Sequence, residues 1–166
     1  MQRFASKLKE KDDIALIVLK GHLLIEERLD EIIRNSVVNP TVLKNTRMNF
    51  ELKCKLAQSM CTKPEFPAWL LVLSLNSLRN DLAHKLESDS RDLKIDKSRN
   101  LYIQYLQEGH PFPSDADLSV QIEFLFGSCL GFLIAVNDSI LENKLQIAGA
   151  MKNSSNELDH GQLISN

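Results

Sequence analysis

Apolar residues recur at steps of three and four along most of the chain, and this spacing constrains the fold more than any other feature. It is the period of an α-helix that buries one face. The alternating pattern of a half-buried strand is rare, and no Asn-Gly or Asp-Gly pair predicts a tight hairpin. The first helical stripe consists of Ile14, Ile17, Val18, Gly21, Ile25, Leu29 and Ile32.

Caps and breaking residues divide the pattern into four main helices. Asn39-Pro40 ends the first helix, and the Pro64–Pro67 segment separates the second from the third. Ser114 and Asp117 resemble a capping box at the start of the last. The predicted ranges are Asp12 to Asn35, Arg47 to Cys61, Ala68 to Glu87, and Ser114 to Ile147.

The remaining segments are less regular. Residues 88–99 are polar and predict a loop or a frayed extension, whereas "LYIQYLQEG" predicts a short helix that ends at Gly109. We therefore expect an all-α fold, an up-and-down bundle of four main helices with a short additional helix. Residues 1–148 would form this single domain, and the polar residues 149–166 a disordered C-terminal tail.

Composition argues against several classes of protein. The net charge of −2 gives no overall cationic field for nucleic acid. The three cysteines lack CxxC spacing, which indicates reduced thiols, and we expect neither a metal nor a cofactor. The first residues contain no apolar signal segment, and the longest apolar run, Phe124 to Val136, is shorter than the roughly 20 residues needed to cross a bilayer. These features predict a cytoplasmic protein with no membrane partner.

The stretch "LNSLRNDLAHKLE" places an arginine, an asparagine and a histidine on the third helix. On a helical wheel Asn80 and His84 share a face roughly opposite the leucine stripe, and Arg79 lies at its flank. Trp69 and Leu73 project near the same side, which suggests a contact surface. The leucine stripe consists of Leu71, Leu75, Leu78, Leu82 and Leu86.

These residue types suit metal-free RNA cleavage. Arginine binds phosphate in a bidentate manner, histidine transfers protons near neutral pH, and Asn80 could orient the imidazole of His84. Attack by a 2′-OH on the adjacent phosphate needs a base, an acid and a cation. Because one histidine cannot conveniently be base and acid at once, two copies in a symmetric dimer could share these roles.

The segment Arg79-Asn80-Asp81-Leu82-Ala83-His84 resembles the R-N-x-x-x-H motif of the HEPN superfamily. The resemblance implies a small helical bundle that acts as a homodimer. It also implies a metal-independent endoribonuclease, either a toxin with a cognate antitoxin or an effector of phage defence, with Arg79, Asn80 and His84 as catalytic residues. Other members of the superfamily are non-catalytic, so a repressor-like regulatory or protein-interaction domain is the alternative.

Plainer interpretations stay open for several residues. The Arg79 segment could be a solvated helix face, with Asp81 and Lys85 as an ion pair. His22 lies beside the first apolar stripe and is better explained as a packing histidine. Gly127 and Gly131 would let another helix approach closely inside the bundle. Two groups of cations, each interrupted by acidic residues, could contact RNA or be ordinary solvated segments. They are Arg3, Lys7, Lys9 and Lys11, and Arg91, Lys94, Lys97 and Arg99.

Overall fold

The computed structural model describes the backbone of residues 2–84 and 88–162, and the side chains of residues 14–82 and 90–151. Within these ranges the chain forms helices and no strand, which confirms the all-α prediction. The arrangement differs from the predicted four main helices with one short addition, because the described residues form five substantial helices. They are α1 (Gln2–Ser36), α2 (Phe50–Met60), α3 (Ala68–His84), α4 (Ser88–Tyr105) and α5 (Leu118–Gln162), with a 3₁₀ turn at Pro40–Leu43.

Helix α1 is the central element, and it runs parallel to α5. At one level Gly21 faces the ring of Phe126, and farther along Asn35 donates a hydrogen bond to Asn137 over 2.8 Å. A Cβ atom at position 21 would lie 2.5 Å from that ring, so the two helices approach at a distance that only glycine allows. The apolar stripe of α1 is buried against this contact, with Val18, Ile25, Leu29 and Ile32 fully enclosed.

Helices α3 and α4 form an antiparallel pair that the sequence did not predict. Residues 88–99, for which a loop or a frayed extension was expected, are helical, and "LYIQYLQEG" continues the same helix as far as Tyr105. Ile95 and Tyr102 of α4 are buried in the core, and polar contacts add to them: Ser74 and Ser98 share a 2.9 Å hydrogen bond, and Lys94 bonds both Ser77 and Asp81. Apolar periodicity is a poor guide to a helix that buries few apolar residues and packs partly by hydrogen bonds.

Helix α5 begins later and ends later than predicted. Asp117, not Ser114, precedes its first residue, and the carbonyl of Asp117 accepts the N–H of Gln121. The helix then continues past Ile147 to Gln162. Lys144 bonds the carbonyl of Asn35, where the chain leaves α1. The division into a domain of residues 1–148 and a tail of residues 149–166 stays a prediction.

The length of α5 also bears on the membrane prediction. The apolar run inside it is short, but in the described part of the chain Leu118–Met151 is long and apolar enough to cross a membrane, with a mean hydropathy of 1.8 over its most apolar 18 residues. The core helix of a soluble protein meets the same criteria, and 39% of the most apolar part is buried. The finding is weak evidence for a membrane span.

The two small residues in α5 do not have the predicted role. Gly127 and Gly131 are exposed, and a Cβ atom at either position would meet nothing within 4 Å. They line an open cavity together with Phe66 and Tyr102. The close helix approach is made instead by Gly21, whose neighbour Phe126 precedes Gly127 by one residue.

We expect Gly21→Ala to destabilise the protein although alanine favours helices. The added methyl group would overlap the root of the Phe126 ring, and overpacking of this kind costs about 1–3 kcal/mol. Gly127→Ala is the matched control, and it should be neutral or stabilising by up to about 1 kcal/mol. Urea unfolding of both variants measures the difference. Equal free energies of unfolding would contradict the close approach of α1 and α5.

Candidate functional site

Helix α3 presents the first two residues of the motif to solvent. Leu71, Leu75 and Leu78 are fully buried, and they fix the rotation of the helix about its axis. With that rotation Asn80 is exposed and Arg79 is partly exposed, as the leucine spacing predicted. The predicted solvent-facing position of these two residues is confirmed.

Arg79 and Asn80 contact each other. The guanidinium of Arg79 donates a hydrogen bond of 3.2 Å to Oδ1 of Asn80. His84 is the last residue of α3, and the structure describes its backbone but not its side chain. The expected bond between Asn80 and the His84 imidazole therefore stays a prediction. The carboxylate of Asp81 pairs with Lys94 over 2.9 Å, and its proposed partner Lys85 lies outside the described residues.

The contact surface expected beside the motif is smaller than predicted. Leu73 is exposed, but Trp69 is only 3% exposed and packs edge-on against Phe132, with ring centroids 5.1 Å apart. The helical wheel gave the direction of Trp69 correctly relative to Leu73. It could not show that α5 covers this face at the beginning of α3, because coverage depends on the arrangement of other helices.

A cavity of about 380 Å³ lies beside Asn80, between α2 and α3. Its walls include Leu73, Asn76 and Asn80 from α3, and Glu51 and Lys55 from α2. Side chains of α2 thus face the part of α3 that carries Asn80, across the cavity. The arrangement offers polar groups of both charges next to Asn80.

His22 connects α1 to the same part of α3. Its side chain is buried, its Nε2 atom lies 2.9 Å from Oδ1 of Asn76, and its ring stacks on Phe50 with centroids 4.5 Å apart. Because an amide oxygen only accepts, Nε2 carries the proton. The interpretation as a packing histidine is confirmed. Its contact with Asn76, one helical turn before Asn80, was not found from the sequence, since a buried polar residue implies a partner but does not identify it.

Burial lowers the pKa of His22, and the positive charges of Arg79 and Lys53 act in the same direction. The hydrogen bond to Asn76 and the carboxylate of Glu26 oppose them without reversing the shift. The net shift is downward from an ordinary value of about 6.5, so burial keeps His22 mainly neutral at pH 7. The charge of Arg79 reaches this buried ring, so the motif and the interior of the bundle are electrostatically connected.

Lys53 completes the polar contacts between α1 and α2. Its ammonium group bonds Glu26 over 2.8 Å and Asp30 over 2.9 Å, and only 12% of its side chain is exposed. Burial tends to lower the pKa of Lys53, but the two carboxylates outweigh this and raise it. Glu26 is accordingly engaged in an ion pair.

Groups that would hold a metal were sought among the residues 14–82 and 90–151. No cluster of three or more histidine, cysteine or acidic side chains occurs there. Cys54 and Cys129 are buried thiols, and burial raises the pKa of Cys54 to about 12. These two cysteines are core residues with little thiolate at neutral pH.

Three of the four cations of α4 have structural partners. Arg91 pairs with Asp92, Lys94 with Asp81, and Arg99 donates to Gln121 over 2.7 Å. These contacts favour the interpretation of this group as an ordinary helix surface. The first group of cations, at positions 3, 7, 9 and 11, has side chains outside the described residues.

No protein-family model matches this chain, and no curated protein or solved structure is significantly similar to it. The resemblance to the HEPN superfamily therefore depends on the motif and its position on a helix.

We expect the free energy of unfolding to fall as the pH decreases below about 6.5. The pKa of His22 is lower in the folded protein than in the unfolded chain, so the unfolded chain binds the extra proton first. His22→Phe should flatten the dependence between about pH 5 and pH 7, since phenylalanine keeps the ring and does not titrate. Urea unfolding across this range measures the slope.

The control for this experiment is His110→Gln in the exposed loop before α5. It removes a histidine without touching the buried contact, and the slope should remain that of the unmodified protein. A slope that His22→Phe leaves unchanged would show that another group is responsible.

Proposed function

We propose that the protein is a metal-independent endoribonuclease of the HEPN type. The observation that carries the proposal is the joint presentation of Arg79 and Asn80 on the solvent side of α3, one turn before His84. Arg79 would bind the scissile phosphate and neutralise its developing charge, and His84 would transfer protons. Asn80 would orient His84 or the phosphate through its amide group.

The chemistry needs more groups than one motif supplies. A base must accept the 2′-OH proton while an acid protonates the leaving 5′-oxygen. His22 is a poor candidate for either role, because it is buried and its Nε2 proton is bound to Asn76. We therefore propose a homodimer in which the histidines of two copies share one cleft. The proposal includes a cytoplasmic location and an RNA substrate, with a toxin or defence role regulated by an antitoxin or another partner.

A non-catalytic interaction domain is the second candidate, and one observation favours it. Leu16, Leu19 and Leu23 follow one another at helical spacing on the outer side of α1, and they are 42–58% exposed. Exposed apolar side chains arranged as a stripe are typical of a surface that binds another protein. A regulatory domain would use this surface and would not require proton transfer at His84.

The catalytic proposal predicts RNA cleavage in the presence of a chelator. Products should end in a 2′,3′-cyclic phosphate, because the 2′-OH is the nucleophile, and DNA should remain intact. Arg79→Ala and His84→Ala should each lower the rate by about 10²- to 10⁴-fold. The two losses should not multiply, since the groups act as a unit. Gel assays with a labelled RNA and analysis of the product ends provide the measurement.

Two exposed residues provide matched controls for cleavage. Arg28→Ala removes an arginine paired with Glu31 on α1, and His110→Ala removes a loop histidine. Both should retain activity. A folded dimer that leaves varied RNAs intact would favour the interaction domain, and activity that survives His84→Ala would exclude the proposed site.

The dimer predicts a specific effect of Leu73→Asp. If the surface containing Leu73 and Asn80 is the interface, a carboxylate there is desolvated without a partner, which opposes association. Analytical ultracentrifugation should show the dissociation constant rising at least about tenfold, equivalent to 1.4 kcal/mol. Leu93→Asp on α4 is the control, since Leu93 is 71% exposed on another helix. Equal effects of the two changes would place the interface elsewhere.

A further inference from the structure

A basic cleft lies at the end of α1, apart from the motif. Its volume is about 1020 Å³, and its walls come from the end of α1, the 3₁₀ turn, the connection that follows and the beginning of α2. Arg34, Lys44 and Arg47 line it and are exposed. Three cations, one from α1 and two from the connection before α2, therefore surround one open space.

These cations have no opposing charge of their own. Among the residues that the structure describes, no hydrogen bond or ion pair engages the side chains of Arg34, Lys44 or Arg47. The carboxylate that lines the cleft belongs to Asp30, which already pairs with Lys53 over 2.9 Å. The cleft thus has a local excess of positive charge although the chain carries a net charge of −2.

The local backbone explains how the cations converge. Asn45 has a φ of 73°, in the left-handed region that asparagine tolerates better than most residues. The turn at this residue follows the 3₁₀ segment, where the N–H of Thr46 bonds the carbonyl of Leu43 over 3.0 Å. Lys44 and Arg47 consequently line the same cleft on either side of the turn.

The beginning of α2 adds to the positive potential. Asn49 caps the helix by accepting the N–H of Leu52 over 2.8 Å, and it lines the cleft. The amino end of a helix carries a partial positive charge, which favours anions nearby. This contribution is secondary to the three side chains, which supply whole charges.

We propose that this cleft binds the phosphate backbone of single-stranded RNA. The inference rests on the proposed function and identifies where its substrate is held. The space is too large for one phosphate, and its cations come from α1 and from both sides of the turn at Asn45, a spread that suits a chain of phosphates. No aromatic side chain lines it, so recognition uses charge without base stacking and is independent of sequence.

The cleft and the motif lie within reach of one strand. Along α1 the distance from His22, which contacts α3 before Arg79, to Arg34 is about 18 Å at 1.5 Å per residue. Lys53 lies between them, since it bonds Glu26 and Asp30 and also lines the cleft. Asn80 lies one turn farther along α3 than Asn76, the partner of His22, so an RNA strand of several nucleotides would be needed to join the cleft and the motif of one protomer. The cleft would contribute to binding and the motif to the reaction.

Fluorescence anisotropy with a labelled 12-nucleotide RNA of mixed sequence tests the inference. The full-length chain carries His84→Ala so that the RNA stays intact. Adding Arg34→Gln and Arg47→Gln should weaken binding at least about tenfold in low salt. The slope of the logarithm of the affinity against that of the salt concentration should decrease by about 1.4, because each phosphate contact on a single strand contributes roughly 0.7.

The matched control replaces Arg28 and Arg91 with glutamine in the same background. Both arginines are exposed or partly exposed and paired with neighbouring carboxylates, so the control removes the same charge from other places. It should change the affinity less than about threefold. Equal weakening by the two pairs of substitutions, no weakening by the cleft pair, or no binding of RNA at all would overturn the inference.

Cleavage kinetics separate this inference from the proposed function. With His84 present, Arg34→Gln with Arg47→Gln should raise KM and leave kcat within about twofold, because neither residue contacts the reacting phosphate. A loss of kcat with unchanged KM would contradict a binding role for the cleft. If the RNA binds through the cleft but is never cut, the proposed function fails and the binding site stands.

Discussion

The contact between Gly21 and Phe126 sets the position of α1, and the positions of α2 and α3 follow from α1. A side chain larger than hydrogen at position 21 would push α5 away, since the Phe126 ring lies only 2.5 Å from where a Cβ atom would be. The adjacent residue His22 points about 100° around the helix, toward α2 and α3. His22 stacks on Phe50 and bonds Asn76, and both contacts depend on the position of α1 that its packing against α5 sets. Two consecutive residues thus join α1 to three neighbouring helices.

The exposure of Arg79 and Asn80 follows from which faces of α3 the neighbouring helices cover. Leucines hold the helix against the core, and Asn76 bonds α1. On the side of α4, Lys94 bonds both Ser77 and Asp81. The strip that remains contains Leu73 and Asn80, with Arg79 at its edge. Arg79 and Asn80 therefore lie where the neighbouring helices leave α3 uncovered or only partly covered.

Sequence reasoning succeeded where apolar spacing alone determines structure. The buried leucines of α3 have the predicted phase, and the exposed positions of Asn80 and Arg79 follow from it. It failed for α4, because that helix buries few apolar side chains, Ile95 and Tyr102 among them, and binds α3 in part through hydroxyl and ammonium groups. An amphipathic pattern detects burial of apolar surface and has no signal for such an interface.

Other failures have the same origin, since they concern contacts between helices distant in sequence. Trp69 shares a direction with Leu73, but Phe132 of α5 covers it and not Leu73. The spacing of Gly127 and Gly131 suggested a close approach, which the structure places instead at Gly21. The bond between His22 and Asn76 joins residues 54 positions apart, and nothing local in either segment identifies the other. A helical wheel gives the direction of a side chain, and only the packed bundle decides what it meets.

The distribution of charge shows why a net charge is a poor guide to binding. Lys53 satisfies two carboxylates of α1 at once, Glu26 and Asp30, and this removes acidic groups from the surface near the end of the helix. Arg34, one turn beyond Asp30, is left without a partner among the described residues and lies with Lys44 and Arg47 around an open cleft. A polyanion at that cleft meets unpaired cations at short range, whereas the excess acidic residues lie elsewhere and act through screening solvent. The local field is therefore decided by which charges are paired inside the fold, and a chain with a slightly negative total can still have a cationic cleft.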